Sequence, residues 1–134
     1  MDEALPPDAE VPALRVVGVG TLVAESLPWL ASSPDGLVLD ADGKPLATVE
    51  VKSYPAEVRR DTAAWVQVQG AMAIASAALG EPVHWCCVVM PGRVLYVAFD
   101  AARWDPLLEK LRSFYFETFL PSAGEYIAQR HLKR

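Results

Sequence analysis

Soft-metal chemistry is nearly absent from this sequence. Its 134 residues contain two cysteines and two histidines. Cys86 and Cys87 are adjacent, and neighbours in a strand leave opposite faces, which argues against an unstrained disulfide between them. Within His84-Trp85-Cys86-Cys87-Val88-Val89-Met90 they read as small apolar packing residues. His84 and His131 lack a plausible set of zinc partners. No apolar run reaches the roughly 18 residues that a bilayer-spanning helix needs. The start, Met1-Asp2-Glu3-Ala4-Leu5-Pro6-Pro7-Asp8, is acidic and proline-rich, unlike a secretory or mitochondrial signal. A soluble intracellular protein with no membrane partner is the expectation. Internal repeats and low-complexity stretches are absent as well.

An excess of positive charge is also missing. The formal net charge is −5, which argues weakly against a nucleic-acid partner. The charge is uneven, however. Residues 1–50 carry nine acids and two bases, giving −7, and residues 51–134 carry eight acids and ten bases, giving +2. Asp2, Glu3, Asp8 and Glu10 belong to a short leader, and a metal site would use some of the other acids. The acidic total therefore does not exclude DNA.

What is present suits one domain: 52% of the residues are hydrophobic, enough for a core at this length. Residues 1–14, with Pro6, Pro7 and Pro12, read as an irregular acidic leader, and residues 15–134 as a single domain. Arg15 to Ala24 reads as a strand, broken by Pro28 and Ser32-Ser33-Pro34. Gly36 to Leu39 and Leu46 to Lys52 read as strands joined by an Asp42-Gly43 hairpin turn, and Pro55 ends the second. A helix capped by Asp61 or Thr62 runs to about Leu79 and stops at Gly80. It is apolar nearly all round, a pattern of helices buried on more than one side. His84 to Met90 and Val94 to Phe99 form a second hairpin around Pro91-Gly92. Asp105-Pro106 reads as the start of another helix, interrupted by Pro121, with a basic helical tail after it. Three strands, a helix, two strands and a helix make a mixed α/β sandwich around one sheet.

The chemistry sits around the first hairpin. Glu50 and Lys52 are two apart in a strand, so they leave the same face. Asp35 lies one hairpin earlier and returns beside Glu50. Paired carboxylates repel unless a cation neutralises them, and hard oxygen ligands suit Mg²⁺ or Mn²⁺. A lysine alongside could position a water or stabilise charge on a phosphate. Together these parts suit metal-assisted phosphodiester hydrolysis. Spacing alone favours a plainer reading, a solvated strand face beside an ordinary Pro-Asp-Gly turn.

The surrounding residues reverse that preference. Trp29-Leu30-Ala31-Ser32-Ser33-Pro34-Asp35-Gly36-Leu37-Val38, then Val49-Glu50-Val51-Lys52, then Trp65-Val66-Gln67-Val68-Gln69-Gly70-Ala71-Met72, resemble the YqaJ-like viral recombinase family. That family includes phage lambda-type exonucleases within the PD-(D/E)XK nuclease superfamily. The resemblance covers about Val17 to Leu120. It implies a PD-(D/E)XK, restriction-endonuclease-like α/β core, a mixed sheet flanked by helices. It also implies Mg²⁺ or Mn²⁺ on Asp35, Glu50 and the backbone carbonyl of Val51, with Lys52 as the catalytic lysine and Gln67 as the helix glutamine facing the site. Gln69 lies about 200° around the helix from Gln67, so both cannot face one way. It reads equally as a DNA contact or as a polar residue bonded to a neighbouring element.

The function implied is a metal-dependent deoxyribonuclease, an exonuclease acting on duplex DNA ends in recombination or repair. A homo-oligomer or a recombination-protein partner is part of that expectation. Relatives carry an N-terminal helical region that supplies a further acid, and the residues before Arg15 are too few to form it. Glu25 is not a convincing substitute. The alternative is therefore a catalytically inactive or truncated nuclease-fold module for DNA binding or protein assembly. Arg59 and Arg60 read equally as phosphate contacts and as a solvated loop. The tail Arg130-His131-Leu132-Lys133-Arg134 reads as a solubilising helix end.

Overall fold

The computed structural model describes residues 13–133, so residues 1–12 of the expected leader lie outside it. The elements are β1 (Arg15–Val17), β2 (Leu22–Val23), β3 (Ala31–Ser32), β4 (Gly36–Leu39), β5 (Pro45–Val51), α1 (Ala63–Leu79), β6 (Trp85–Met90), β7 (Arg93–Ala98), α2 (Ala101–Ser113), a π-helical stretch (Phe114–Phe119) and α3 (Leu120–His131). They form two compact units, one ending at Phe99 and one beginning at Asp100.

The first unit holds a five-stranded sheet in the order β1-β4-β5-β6-β7. β1, β4 and β5 are antiparallel neighbours, β6 runs parallel to β5, and β7 returns antiparallel to β6. The parallel step needs a crossover, and α1 supplies it. The β4–β5 hairpin turns as its residues dictate. Gly43 adopts φ 81°, a left-handed conformation that glycine takes without strain. An Asp40 carboxylate oxygen accepts from the Asp42 and Lys44 amides, at 2.9 Å each.

Of the two expected caps for α1, Thr62 is the one used: its hydroxyl accepts from the Trp65 amide at 3.3 Å. Gly80 ends the helix in the left-handed conformation, φ 70°. Val68, Met72 and Ala75 of α1 pack against Cys86, Val88 and Met90 of β6, with Val83. The helix also contacts β2 and β3, which pair as a separate two-stranded sheet. Covered by sheet on one side and by this hairpin on another, α1 has little solvated surface, hence its apolar circumference. Met72 is fully buried in this cluster. Met72→Ala is expected to cost about 2–5 kcal/mol, the range for emptying a packed core site, and urea unfolding followed by circular dichroism measures it.

Four expectations are corrected here. Arg15 to Ala24 is not one strand, because the chain leaves the sheet after Val17 through Gly18-Val19-Gly20, and glycines weaken a strand interior. The Ser32-Ser33-Pro34 break begins with a strand of its own, β3, which pairs with β2. In the second unit α2 starts at Ala101, not Asp105. Asp100 caps it, its carboxylate accepting from the Arg103 amide at 3.2 Å, and Pro106 lies inside the helix. Pro121 does not interrupt the helical path either. It follows the π-helical turn in which the Leu120 amide bonds to the Tyr115 carbonyl five residues back. A widened turn of this kind relieves the crowding that proline causes in an α-helix.

Candidate active site

Ladder register brings the first carboxylate to the second. Gly36 of β4 pairs with Val49 of β5, so Asp35, one residue earlier, stands next to Glu50 and Val51. The Asp35 amide donates to the Val49 carbonyl at 3.0 Å. Its side chain then continues the ladder: the Val51 amide donates to Asp35 Oδ2 at 2.7 Å. Asp35 is exposed at the rim of the sheet, yet main chain anchors both its amide and its carboxylate. Gly36 lies close against β1. A Cβ there would lie 3.2 Å from both the Val17 carbonyl oxygen and Val16 Cγ1, a tight fit, so the glycine of Pro-Asp-Gly is favoured by strand packing and not by a left-handed turn conformation. The Asp-Gly spelling hid that role, since it reads as a turn.

Glu50 in β5 and Lys52, one residue past its end, share the face that carries α1, as their spacing demands. Gln67, in the second turn of α1, closes a ring with them. Lys52 Nζ donates to Glu50 Oε1 at 3.1 Å and to Gln67 Oε1 at 2.8 Å, and Gln67 Nε2 donates to the same Glu50 oxygen at 2.9 Å. The amide of Gln67 is thereby oriented, oxygen to the ammonium and nitrogen to the carboxylate. The Glu50 and Lys52 side chains retain only 11% and 13% exposure. A pair so far out of water depends on partners for every charge, which the third member supplies. Asp35, Glu50, Lys52 and Gln67 are thus neighbours in the folded chain.

The remaining candidates separate from this group. Gln69 is fully buried and donates to the Ala98 carbonyl at 2.9 Å. A side chain without solvent exposure cannot meet DNA, so its expected role as a DNA contact is corrected to a tie between α1 and the end of β7. Arg59 and Arg60 are exposed in the segment between β5 and α1. Arg59 Nε donates to Glu57 Oε1 at 2.5 Å. The Arg59 carbonyl accepts from the Thr62 amide and hydroxyl, so this residue also shapes the approach to α1.

Among the described residues no group of three or more His, Cys, Asp or Glu side chains could hold a metal ion. The donors brought together at the site are the Asp35 and Glu50 carboxylates, both hard oxygen ligands. Mg²⁺ is commonly bound through one or two carboxylates while keeping several waters, so these residues fit such an ion and do not fit zinc. Cys86 lies in register with Thr48 and is fully buried. Burial pushes its thiol from 9.0 up to about 11, and burial raises Cys87 as well. A protonated thiol is a poor nucleophile. At pH 8 Cys86 is expected to resist alkylation in the folded chain and to react once unfolded, as mass spectrometry of iodoacetamide-treated samples would show. The sign for stability follows: the unfolded thiol ionises first, so this group lowers stability as pH rises above 9 toward 11.

A solved structure shares this architecture. The alkaline exonuclease LHK-Exo from Laribacter hongkongensis superimposes with a TM-score of 0.56 at 19% sequence identity, over 90% of this chain and 64% of that one. The fold is therefore a PD-(D/E)XK-type α/β fold with a mixed five-stranded sheet. This chain spans just under two thirds of the exonuclease's length. No protein-family profile and no curated protein matches the sequence. No helix among the described residues is long and apolar enough to cross a membrane.

Proposed function

We propose that this chain is a metal-dependent DNA nuclease acting on the ends of duplex DNA. The observation that carries the reading is the Glu50–Lys52–Gln67 ring beside Asp35, set on a fold shared with an alkaline exonuclease. Asp35, Glu50 and the Val51 carbonyl would hold Mg²⁺ or Mn²⁺. The ion, when bound, supplies Lewis-acid polarisation of a phosphodiester oxygen.

The chain's own groups do the rest. The Lys52 ammonium stabilises negative charge gathering on the phosphate oxygens as water attacks phosphorus and the bond to the sugar oxygen breaks. Glu50 and Gln67 keep that ammonium within the site. The Val51 amide fixes the Asp35 carboxylate. Arg59 and Arg60, exposed beside α1, are the candidates for contacts to the DNA backbone, which position without reading sequence. Recombination or repair is the setting that the resemblance to viral recombinases suggests.

The test compares substrates. With Mg²⁺, the purified chain is expected to shorten linear duplex DNA and to spare covalently closed circles, as gel electrophoresis would show. Equal cutting of circles would replace the exonuclease reading with an endonuclease. Binding of duplex DNA without cleavage in either Mg²⁺ or Mn²⁺ would favour a non-catalytic module.

A further inference from the structure

The ring at Glu50 has a feature that metal-assisted hydrolysis does not require. Both donors converge on one carboxylate oxygen: Lys52 Nζ at 3.1 Å and Gln67 Nε2 at 2.9 Å both reach Glu50 Oε1. The second bond made by Lys52, to Gln67 Oε1 at 2.8 Å, points the ammonium at Glu50. Lys52 thus occupies the position of a counter-ion, with its side chain 13% exposed and that of Glu50 11% exposed. Asp35 is held separately, by the Val51 amide, and its charge is not part of the ring.

We propose that Lys52 is a resident cation that competes with the metal for Glu50, with Gln67 as the clamp that keeps it there. The inference rests on the reading of Asp35 and Glu50 as metal ligands. Without metal, a carboxylate this buried needs a positive partner, and Lys52 provides one covalently attached to the same strand. A divalent ion must share Glu50 with that ammonium or displace it. Displacement moves Lys52 off Glu50 and frees its protons for the phosphate. One residue then keeps the metal-free site folded and is handed to the substrate when the metal arrives. Metal affinity is consequently set lower than two carboxylates alone would give.

Calorimetric titration of Mn²⁺ into the full chain tests this without reading activity. Lys52→Met removes the charge and keeps an apolar stem, Lys52→Gln is a second neutral variant in case the first does not fold, and Lys52→Arg retains the charge. Both neutral variants are expected to bind Mn²⁺ at least about tenfold tighter than the native chain, the scale on which one charge a few ångströms away acts at a protein site. Lys52→Arg is expected to stay within about threefold of the native affinity on that same scale. Gln67→Leu, which removes the clamp and leaves the charge, is expected to tighten binding by an intermediate amount. Native-like or weaker affinity in the folded neutral variants overturns the competition while leaving the metal site standing. An absence of Mn²⁺ binding to the native chain and to every variant overturns the metal reading itself, and the competition with it.

Discussion

Lys52→Ala is expected to lower Mg²⁺-dependent hydrolysis of linear duplex DNA by about 10²–10³-fold, the loss typical of removing one group that stabilises transition-state charge. The substitution deletes the only ammonium in the ring and leaves Glu50 facing Gln67 alone. Single-turnover rates at saturating enzyme measure it, because they separate chemistry from product release. Breaking a buried pair by removing one partner also costs stability, on the order of 3–5 kcal/mol in fully buried cases. Rates are therefore compared at a temperature where circular dichroism shows both proteins folded. A folded variant with native rates would remove Lys52 from the chemistry.

Asp35→Asn is expected to produce a loss of similar size, again about 10²–10³-fold by the scale for a single electrostatic group, with almost no change in stability. The reasoning is geometric. The amide oxygen introduced by the substitution occupies nearly the place of Asp35 Oδ2. It can accept from the Val51 amide, which lies 2.7 Å from that carboxylate oxygen in the native chain. The hydrogen bond that organises the end of the ladder is kept, and only the charge is lost. Unfolding midpoints within experimental error of the native chain, with hydrolysis nearly abolished and Mn²⁺ affinity reduced, are the expected set of results. A variant that lost stability in proportion to activity would make Asp35 a scaffold residue.

These two residues also show how much of the site is legible in the sequence. The two-residue period of a strand puts Glu50 and Lys52 on one face, and a hairpin with a readable Asp-Gly turn brings Asp35 back beside them. Both follow from local rules. Gln67 does not follow from such rules; only the resemblance of the Trp65–Met72 segment to the viral recombinase family points to it. The hydrogen bonds among the three side chains are not legible, since they depend on how far α1 leans over the sheet. Gln69 illustrates the same limit. Helical geometry excludes it from the side of Gln67, but only the position of β7 shows that the Ala98 carbonyl is its partner. Strand β3 is two residues long and exists through its pairing with β2, which no local pattern announces. The start of α2 is misread because Asp105-Pro106 spells a helix start as well as Asp100 does. Trp104, buried before that proline, is the clue.

The central claim is that Asp35, Glu50 and Lys52 form a hydrolytic metal site. Its most direct test is single-turnover release of nucleotides from end-labelled linear duplex DNA by the native chain in Mg²⁺, in EDTA, and by Glu50→Gln purified in the same way. Release by the native chain in Mg²⁺, with none in EDTA and none from Glu50→Gln, is the predicted result. Equal release in EDTA, or equal release by Glu50→Gln, would contradict it.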